Sequence, residues 1–288
     1  MIKIGVQFPI LEIGNDPGAI REFVQAADDM GYTHLVTLEH ILQVDEKSHP
    51  GYEPMKTPLP LYLLKFPIHE PFVLFGFIAA VTRNIELFTQ ILILPQRQTA
   101  LVAKQAAEID ILSKGRLKLG VAVGHTDLEY EGLGIDFKTR AARIEEQIEV
   151  LRLLWTHEKV DFKGRFHTFN GVGINPLPIQ RPIPIWMGGY SDPVMRRGVR
   201  LADGMVMPPK PQDVLRLLKE AGRDPSTFGM TATLSIGKGE TADMLARAKA
   251  QEASGITHTA VGTQGAGFTK VEQHIAALGR FRDAYGAF

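Results

Sequence analysis

The chain of 288 residues contains no cysteine. That excludes disulfides, thiolate metal ligands and cysteine nucleophiles. It also carries no net charge, because 32 basic side chains balance 32 acidic ones. Composition therefore gives no reason to expect nucleic acid or an anionic membrane as partner. No apolar run reaches the roughly 18 residues of a membrane span. The opening MIKIGVQF lacks the basic stretch, apolar stretch and small-residue cleavage site of a secretory leader, so a cytoplasmic protein is the expectation.

Several catalytic signatures are missing as well. His69-Glu70 opens HEPFV, without the second histidine of a zincin helix. There is no G-x-S-x-G elbow and no G-x-x-x-x-G-K-[ST] phosphate loop. The glycines of GVAVG do not have dinucleotide-fingerprint spacing. Lys3 and Lys118, the lysines placed within strands, sit at the wrong ends or on outside faces for Schiff-base chemistry. No metal site is expected.

What is present is an alternation of strands and helices. Ile2 to Phe8 reads as a strand stopped by Pro9. Asn15 or Asp16 can cap the next helix, with Pro17 in its first turn. Ile20, Phe23, Val24, Ala27 and Met30 line one face, and Gly31 suits a left-handed cap. Further strands are predicted at 34–38, 85–94, 116–123, 183–187, 204–206, 229–236 and 257–261. Helices are predicted at 99–112, 193–201, 212–221, 241–254 and 271–285, and another has Ile144, Ile148, Leu151 and Trp155 as its inner face. Eight strands, each followed by a helix, predict an α/β fold of the closed (β/α)8, or TIM-barrel, type. Two segments interrupt the alternation: 41–69 after strand two, and 156–182 before strand five, where 157–169 can form a hairpin. Excursions of this length are often lids or binding loops. Nothing divides residues 1–288, so one domain is expected.

Four constellations could carry chemistry. Glu39-His40 ends strand two, at the mouth where barrel enzymes place their sites, as an acid–imidazole pair or as a loop anchor. Gln90-Ile91-Leu92 lies in an apolar strand whose one polar group needs a partner; core packing is the favoured reading, a cofactor edge the other. Gly124-His125 follows strand four, where the glycine permits close backbone approach to a ligand. Gly188-Gly189-Tyr190-Ser191 leads into a helix, whose free N–H groups suit an anion, although Gly-Gly is also ordinary turn chemistry. Arg140, Arg143 and Glu146 read as a solvated, salt-bridged helix face.

Taken in order, HEPFVLFGFIAAVTRNIEL, ILILPQRQTALVAKQAAEIDILSKGRLKLGVAVG, EYEGLGIDFKTRAARIEEQIEVLRLLW and PLPIQRPIPIWMGGYSDPVMRRGVRLADGMV resemble the bacterial luciferase-like family of flavin-dependent oxidoreductases, over nearly the whole chain. The resemblance implies a flavin or deazaflavin ring at the carboxyl mouth of the barrel. It places the phosphate on Gly188–Ser191, with Phe8, Gln90, Ile91, Leu92, Gly124 and His125 also binding cofactor. It further implies a non-proline cis peptide near Gln90, Ile91 or Leu92. His40, Glu39 and His125 are the expected catalytic residues; the proton donor stays open between His40, which is favoured, and His125. Departures from the family pattern fall at Leu35 and Val36, where an aromatic residue is common, and at His125, where many members carry tryptophan. Asp127 and Glu129 are the nearest acids to the position of a glutamate donor. The HEPF and LPQR motifs resemble proteins using coenzyme F420, which implies hydride transfer to or from a small organic substrate. The alternatives are an FMN- and oxygen-dependent monooxygenase, a non-catalytic flavin-binding barrel, and an unrelated barrel lyase. The resemblance also implies a homodimer paired through helices near 72–81 and 101–112.

Overall fold

A computed structural model describes residues 1–53, 61–236 and 241–286. The first half runs β1 (Lys3–Gln7), α1 (Pro17–Asp29), β2 (His34–Thr37), α2 (Pro71–Val81), β3 (Glu86–Thr89), β4 (Leu92–Ile93), α3 (Thr99–Leu112), β5 (Leu117–Ala122), α4 (Asp127–Gly132) and α5 (Arg140–Thr156). Next come β6 (Val160–Lys163), β7 (Thr168–Val172), β8 (Ile185–Gly188), α6 (Asp192–Leu201), β9 (Gly204–Val206), α7 (Pro211–Glu220), β10 (Gly229–Ser235), α8 (Thr241–Ala253), β11 (His258–Gly262) and α9 (Val271–Tyr285).

The sheet closes into a parallel barrel. Its neighbours run β3-β2-β1-β11-β10-β9-β8-β5-β4, and β3 also pairs with β5. β3 and β4 are therefore two halves of one barrel strand, the third of eight. The run predicted as one strand over 85–94 is interrupted at Gln90–Ile91, which is a cis peptide, and the ladder to β5 resumes at Leu92↔Val121. Helix α1 starts where predicted: Asp16 caps it by accepting from Gly18 N at 2.8 Å, and Pro17 takes the first turn. Helix α5 buries Ile144, Ile148, Leu151 and Trp155, and the Trp155 indole donates to Ala103 O of α3.

The hairpin expected at 157–169 is β6 and β7, paired antiparallel. The helix face bearing Arg140, Arg143 and Glu146 differs from expectation. Glu146 accepts from the backbone N–H groups of Arg165, Phe166 and His167 and meets the His167 ring at 2.7 Å. Arg143 lies over the Phe166 ring and Arg140 over Phe137. Glu146 and Arg143 clamp the hairpin to α5, while Arg140 caps the turn before the helix; the three are not a solvated ion-pair ladder, because the hairpin turn brings unsatisfied N–H donors to Glu146. No helix among the described residues is long and apolar enough to cross a membrane.

Candidate active site at the carboxyl mouth of the barrel

A cavity of about 500 Å³ opens at the carboxyl ends of the strands. Its walls come from consecutive barrel positions: Leu38–His40 after β2, Gln90, Ile91 and Ile93 around the break in the third strand, Ala122–His125 after β5, Gly188–Ser191 after β8, and Val206 and Met207 after β9. Leu61 and Tyr62 of the 41–69 excursion roof it. That roof is held from inside. The Gln43 side-chain amide lies 2.8–3.1 Å from the carbonyls of Leu61, Leu63 and Phe66, and Val44, Tyr62 and Leu63 form a small apolar core of their own.

Most of the predicted site residues meet here. His40, His125, Gln90, Ile91, Gly124, Gly188, Gly189, Tyr190 and Ser191 all line the cavity, and so does Glu39. Phe8 and Leu92 do not. Phe8 is buried beside Phe23 and His69, and Leu92 belongs to the main hydrophobic core. Alternation along a strand sends neighbouring side chains to opposite faces, so Ile91 and Ile93 reach the cavity while Leu92 turns away.

Glu39 and His40, both beyond the end of β2, take different partners. Glu39 accepts from Ile93 N at 2.9 Å and from Arg97 Nε at 2.7 Å, with Arg97 Nη2 at 2.6 Å. Arg97 also reaches Glu70, the N-cap of α2, at 2.8 Å. Burial pushes Glu39 up, to about 7, against the pull of the Arg97 guanidinium and the Ile93 N–H. The acid that adjacency assigned to His40 thus ties the ends of the strands together. The acid His40 does meet is Glu129 of α4, with Nδ1 3.1 Å from Oε2. Burial raises Glu129, but hydrogen bonding and charge from His40 and the N–H of Leu42 outweigh it and hold the carboxyl below its ordinary value.

Two buried polar atoms in the cavity wall, Gln90 Oε1 and His125 Nε2, have no hydrogen-bond partner among the described residues. Such atoms normally find one, and a ligand with donors and acceptors on its rim would supply it. Burial and the neighbouring His40 lower His125 below its ordinary value, so its ring stays neutral at physiological pH. Gly124 has φ +64°, and a Cβ there would lie 2.6 Å from Ile93 Cγ2. Gly189 has φ +145°, and a Cβ there would lie 2.5 Å from Val194 Cγ1. Both positions demand glycine and leave backbone facing the cavity. The set fits a flat, partly polar ring with an anionic arm at the start of α6.

The luciferase-like monooxygenase family model matches residues 4–284. The chain belongs to that family. An uncharacterised protein of Mycobacterium tuberculosis (strain ATCC 25618 / H37Rv) is 36% identical over 170 residues, 59% of each chain. Pyrimidine monooxygenase RutA of Escherichia coli (strain K12 / DH10B) is 38% identical over 141 residues, 46% of this chain and 36% of its own. The matches thus span less than two thirds of these curated relatives. Among solved structures, monooxygenase RslO1 from Streptomyces bottropensis superimposes with a TM-score of 0.77 at 20% identity over 99% of both chains. An F420-dependent secondary alcohol dehydrogenase, in complex with an F420-acetone adduct, gives 0.77 at 15% identity over 99% of both. The oxygenating constituent of 3,6-diketocamphane monooxygenase from Pseudomonas putida, in complex with FMN, gives 0.62 at 18% identity over 88% of this chain and 71% of its own. At these identities the likeness carries the fold, a luciferase-like TIM barrel.

Sequence reasoning missed Glu129 as the partner of His40, and it missed Tyr62, Leu61, Val194 and Met207 in the wall. Spacing held no signal for the His40–Glu129 contact, which joins residues 89 apart.

Proposed function

We propose that the protein is an oxidoreductase that binds the deazaflavin coenzyme F420 in this cavity and exchanges hydride with a small, uncharged alcohol or carbonyl compound. The carrying observation is the union of two imidazoles, His40 and His125, with walls that are otherwise mostly apolar and include no Lys or Arg among the described residues. Bound deazaflavin would supply a hydride-accepting carbon, C5. The chain's own residues do the rest. His40 Nε2, free of Glu129, is the group that takes the hydroxyl proton when the alcohol is oxidised and returns it in reduction. Gln90 Oε1 and His125 Nε2 would hydrogen-bond a bound ring, Gly188–Ser191 and the start of α6 would hold its phosphate, and the Leu61–Tyr62 roof would exclude water. A substrate carboxylate or phosphate would meet no cation in such walls, which favours an uncharged molecule.

A second reading is a monooxygenase using FMN and oxygen, favoured by the similarity to pyrimidine monooxygenase RutA. Titration of the purified protein with oxidised F420 and, separately, FMN, followed by quenching of cofactor fluorescence, separates the two. F420 binding alone supports hydride transfer, FMN binding alone moves the assignment to oxygen chemistry, and binding of neither removes the cofactor assignment. The same reading takes residues 1–288 as one cytoplasmic domain. It pairs two copies through α2 and α3, where Val73, Leu101 and Leu112 leave aliphatic side chains exposed; light scattering at micromolar concentration tests the pairing.

A further inference from the structure

We infer that Glu129 is the positioning residue of this site, and that its one carboxylate sets both the protonation pattern of His40 and the seat of the lid. The first half of the argument is geometric. The Glu129 side chain is fully buried and that of His40 is 9% exposed. Oε2 lies 3.1 Å from His40 Nδ1. Oε1 accepts from Ile41 N at 2.6 Å and from Leu42 N at 3.1 Å, the first two amides of the lid segment. A carboxylate held below its ordinary pKa can only accept. In its neutral form His40 therefore carries its proton on Nδ1, which leaves Nε2 as a bare acceptor on the cavity side. The glutamate is no proton donor to substrate, because both its oxygens are committed to the protein.

The second half concerns the element that carries Glu129. α4 grips the lid at further points. Tyr52 of the lid donates to Asp127, Leu128 packs against the lid's own apolar core, and Leu42 lies so close to Gly132 that a Cβ there would meet Leu42 Cδ1 at 2.7 Å. α4 itself is anchored to the barrel, since Tyr130 donates to Val123 O at 2.6 Å. A carboxylate on α4 is thus fixed by the barrel and reaches outward to the catalytic ring and to the lid. The catalytic part of this inference rests on the function proposed above; the tautomer and the lid contact do not.

Two variants separate the roles. In Glu129→Gln the side-chain oxygen can still accept from Ile41 and Leu42, but the amide nitrogen donates to Nδ1 and drives the His40 proton to Nε2. Glu129→Ala removes both contacts. Imidazole nitrogen shifts of the cofactor-free protein, followed upward in pH until they report a neutral ring, should show His40 protonated on Nδ1 in the native chain and on Nε2 in Glu129→Gln. Hydrogen exchange of the Ile41 and Leu42 amides should be unchanged in Glu129→Gln and about tenfold or more faster in Glu129→Ala. With F420 and a secondary alcohol, Glu129→Gln should lower kcat by about 10–100-fold with KM little changed, the size expected when the group that orients a functional histidine is altered. The same His40 tautomer in the native chain and Glu129→Gln overturns the first role, and undisturbed lid amides in Glu129→Ala overturn the second. If Glu129→Ala does not fold, the amide exchange of Glu129→Gln and its tautomer still decide. Failure of F420 to bind would leave the tautomer and exchange results standing and sink only the function they serve.

Discussion

The two ends of the barrel are built from the same strands and treat their interior in opposite ways. At the amino end the interior is filled. Phe88 and Trp186 meet edge-to-face with ring centres 5.2 Å apart, and Gly229 makes room for the indole, since a Cβ there would lie 1.8 Å from Trp186 Cη2. Polar groups at that end answer one another: Lys118 pairs with Glu86 at 2.6 Å, and His34 and His258 each meet the threonine before them at 2.8 Å. His34 Nε2 is left over, enclosed by the rings of Phe88 and His258. At the carboxyl end the inward positions shrink to Ala122, Gly124 and Gly188, and the interior is hollow. There the leftover atoms, Gln90 Oε1 and His125 Nε2, face a space large enough for a ligand. The contrast teaches that side-chain volume and partnering, rather than strand geometry, decide which end of such a barrel can bind.

The largest effect should come from removing the ring proposed to carry the proton. His40→Ala is expected to lower kcat by about 10²–10⁴-fold while thermal unfolding stays within a few degrees, because the side chain packs into a cavity wall rather than the core; a stopped-flow assay with F420 checks this. Overfilling the opposite end should cost stability instead. Gly229→Ala forces a methyl into the Trp186 ring and is expected to lower stability by about 1–3 kcal/mol or more, read from the urea midpoint at unchanged slope. An unaltered midpoint would show that the filled end is looser than described.

Acid should attack the filled end in its own way. Burial, with the charges of Lys118 and Lys3, lowers His34 to about 3, and burial, with the charges of His34, Lys118 and Lys3, lowers His258 to about 2. Both are neutral in the folded chain, whereas the unfolded chain takes up a proton at each below about pH 6.5. Their folded pKa values lie below the unfolded one, so stability is full above about pH 6.5 and falls as pH drops from there towards 3. At pH 5 the loss is roughly 2 kcal/mol per histidine, measurable as a shift of the urea midpoint between pH 7 and 5. A pair left in contact with water would show no such slope. The smallest effect is expected at the edge of the hollow end. Ser191→Ala, at the N-cap of α6 where no side-chain cap bond is made, should weaken cofactor binding by several-fold, about 1 kcal/mol for one hydrogen bond; fluorescence titration reads it.

Much of this was legible in residue order. Apolar runs closed by proline, such as IKIGVQFP, and helix faces such as Ile144–Trp155 follow from local periodicity, and eight strand–helix repeats leave few architectures but a barrel. His40, His125 and the Gly188–Ser191 turn announced themselves because each stands where a strand ends, and the mouth of a barrel collects strand ends; Gln90 sat inside a run read as core, and only the family resemblance placed it in the site. The chain alone therefore determined the fold, its family and most of the wall. Tertiary structure alone decided the pairings. Glu39 went to Arg97 and Glu129 to His40, Phe8 and Leu92 turned away from the cavity, and Glu146 became the clamp of a hairpin turn. Each of those outcomes joins groups distant in the chain or depends on which face a side chain takes. Neither is encoded by spacing; both are settled when closure of the barrel brings strand ends, α4 and the lid together.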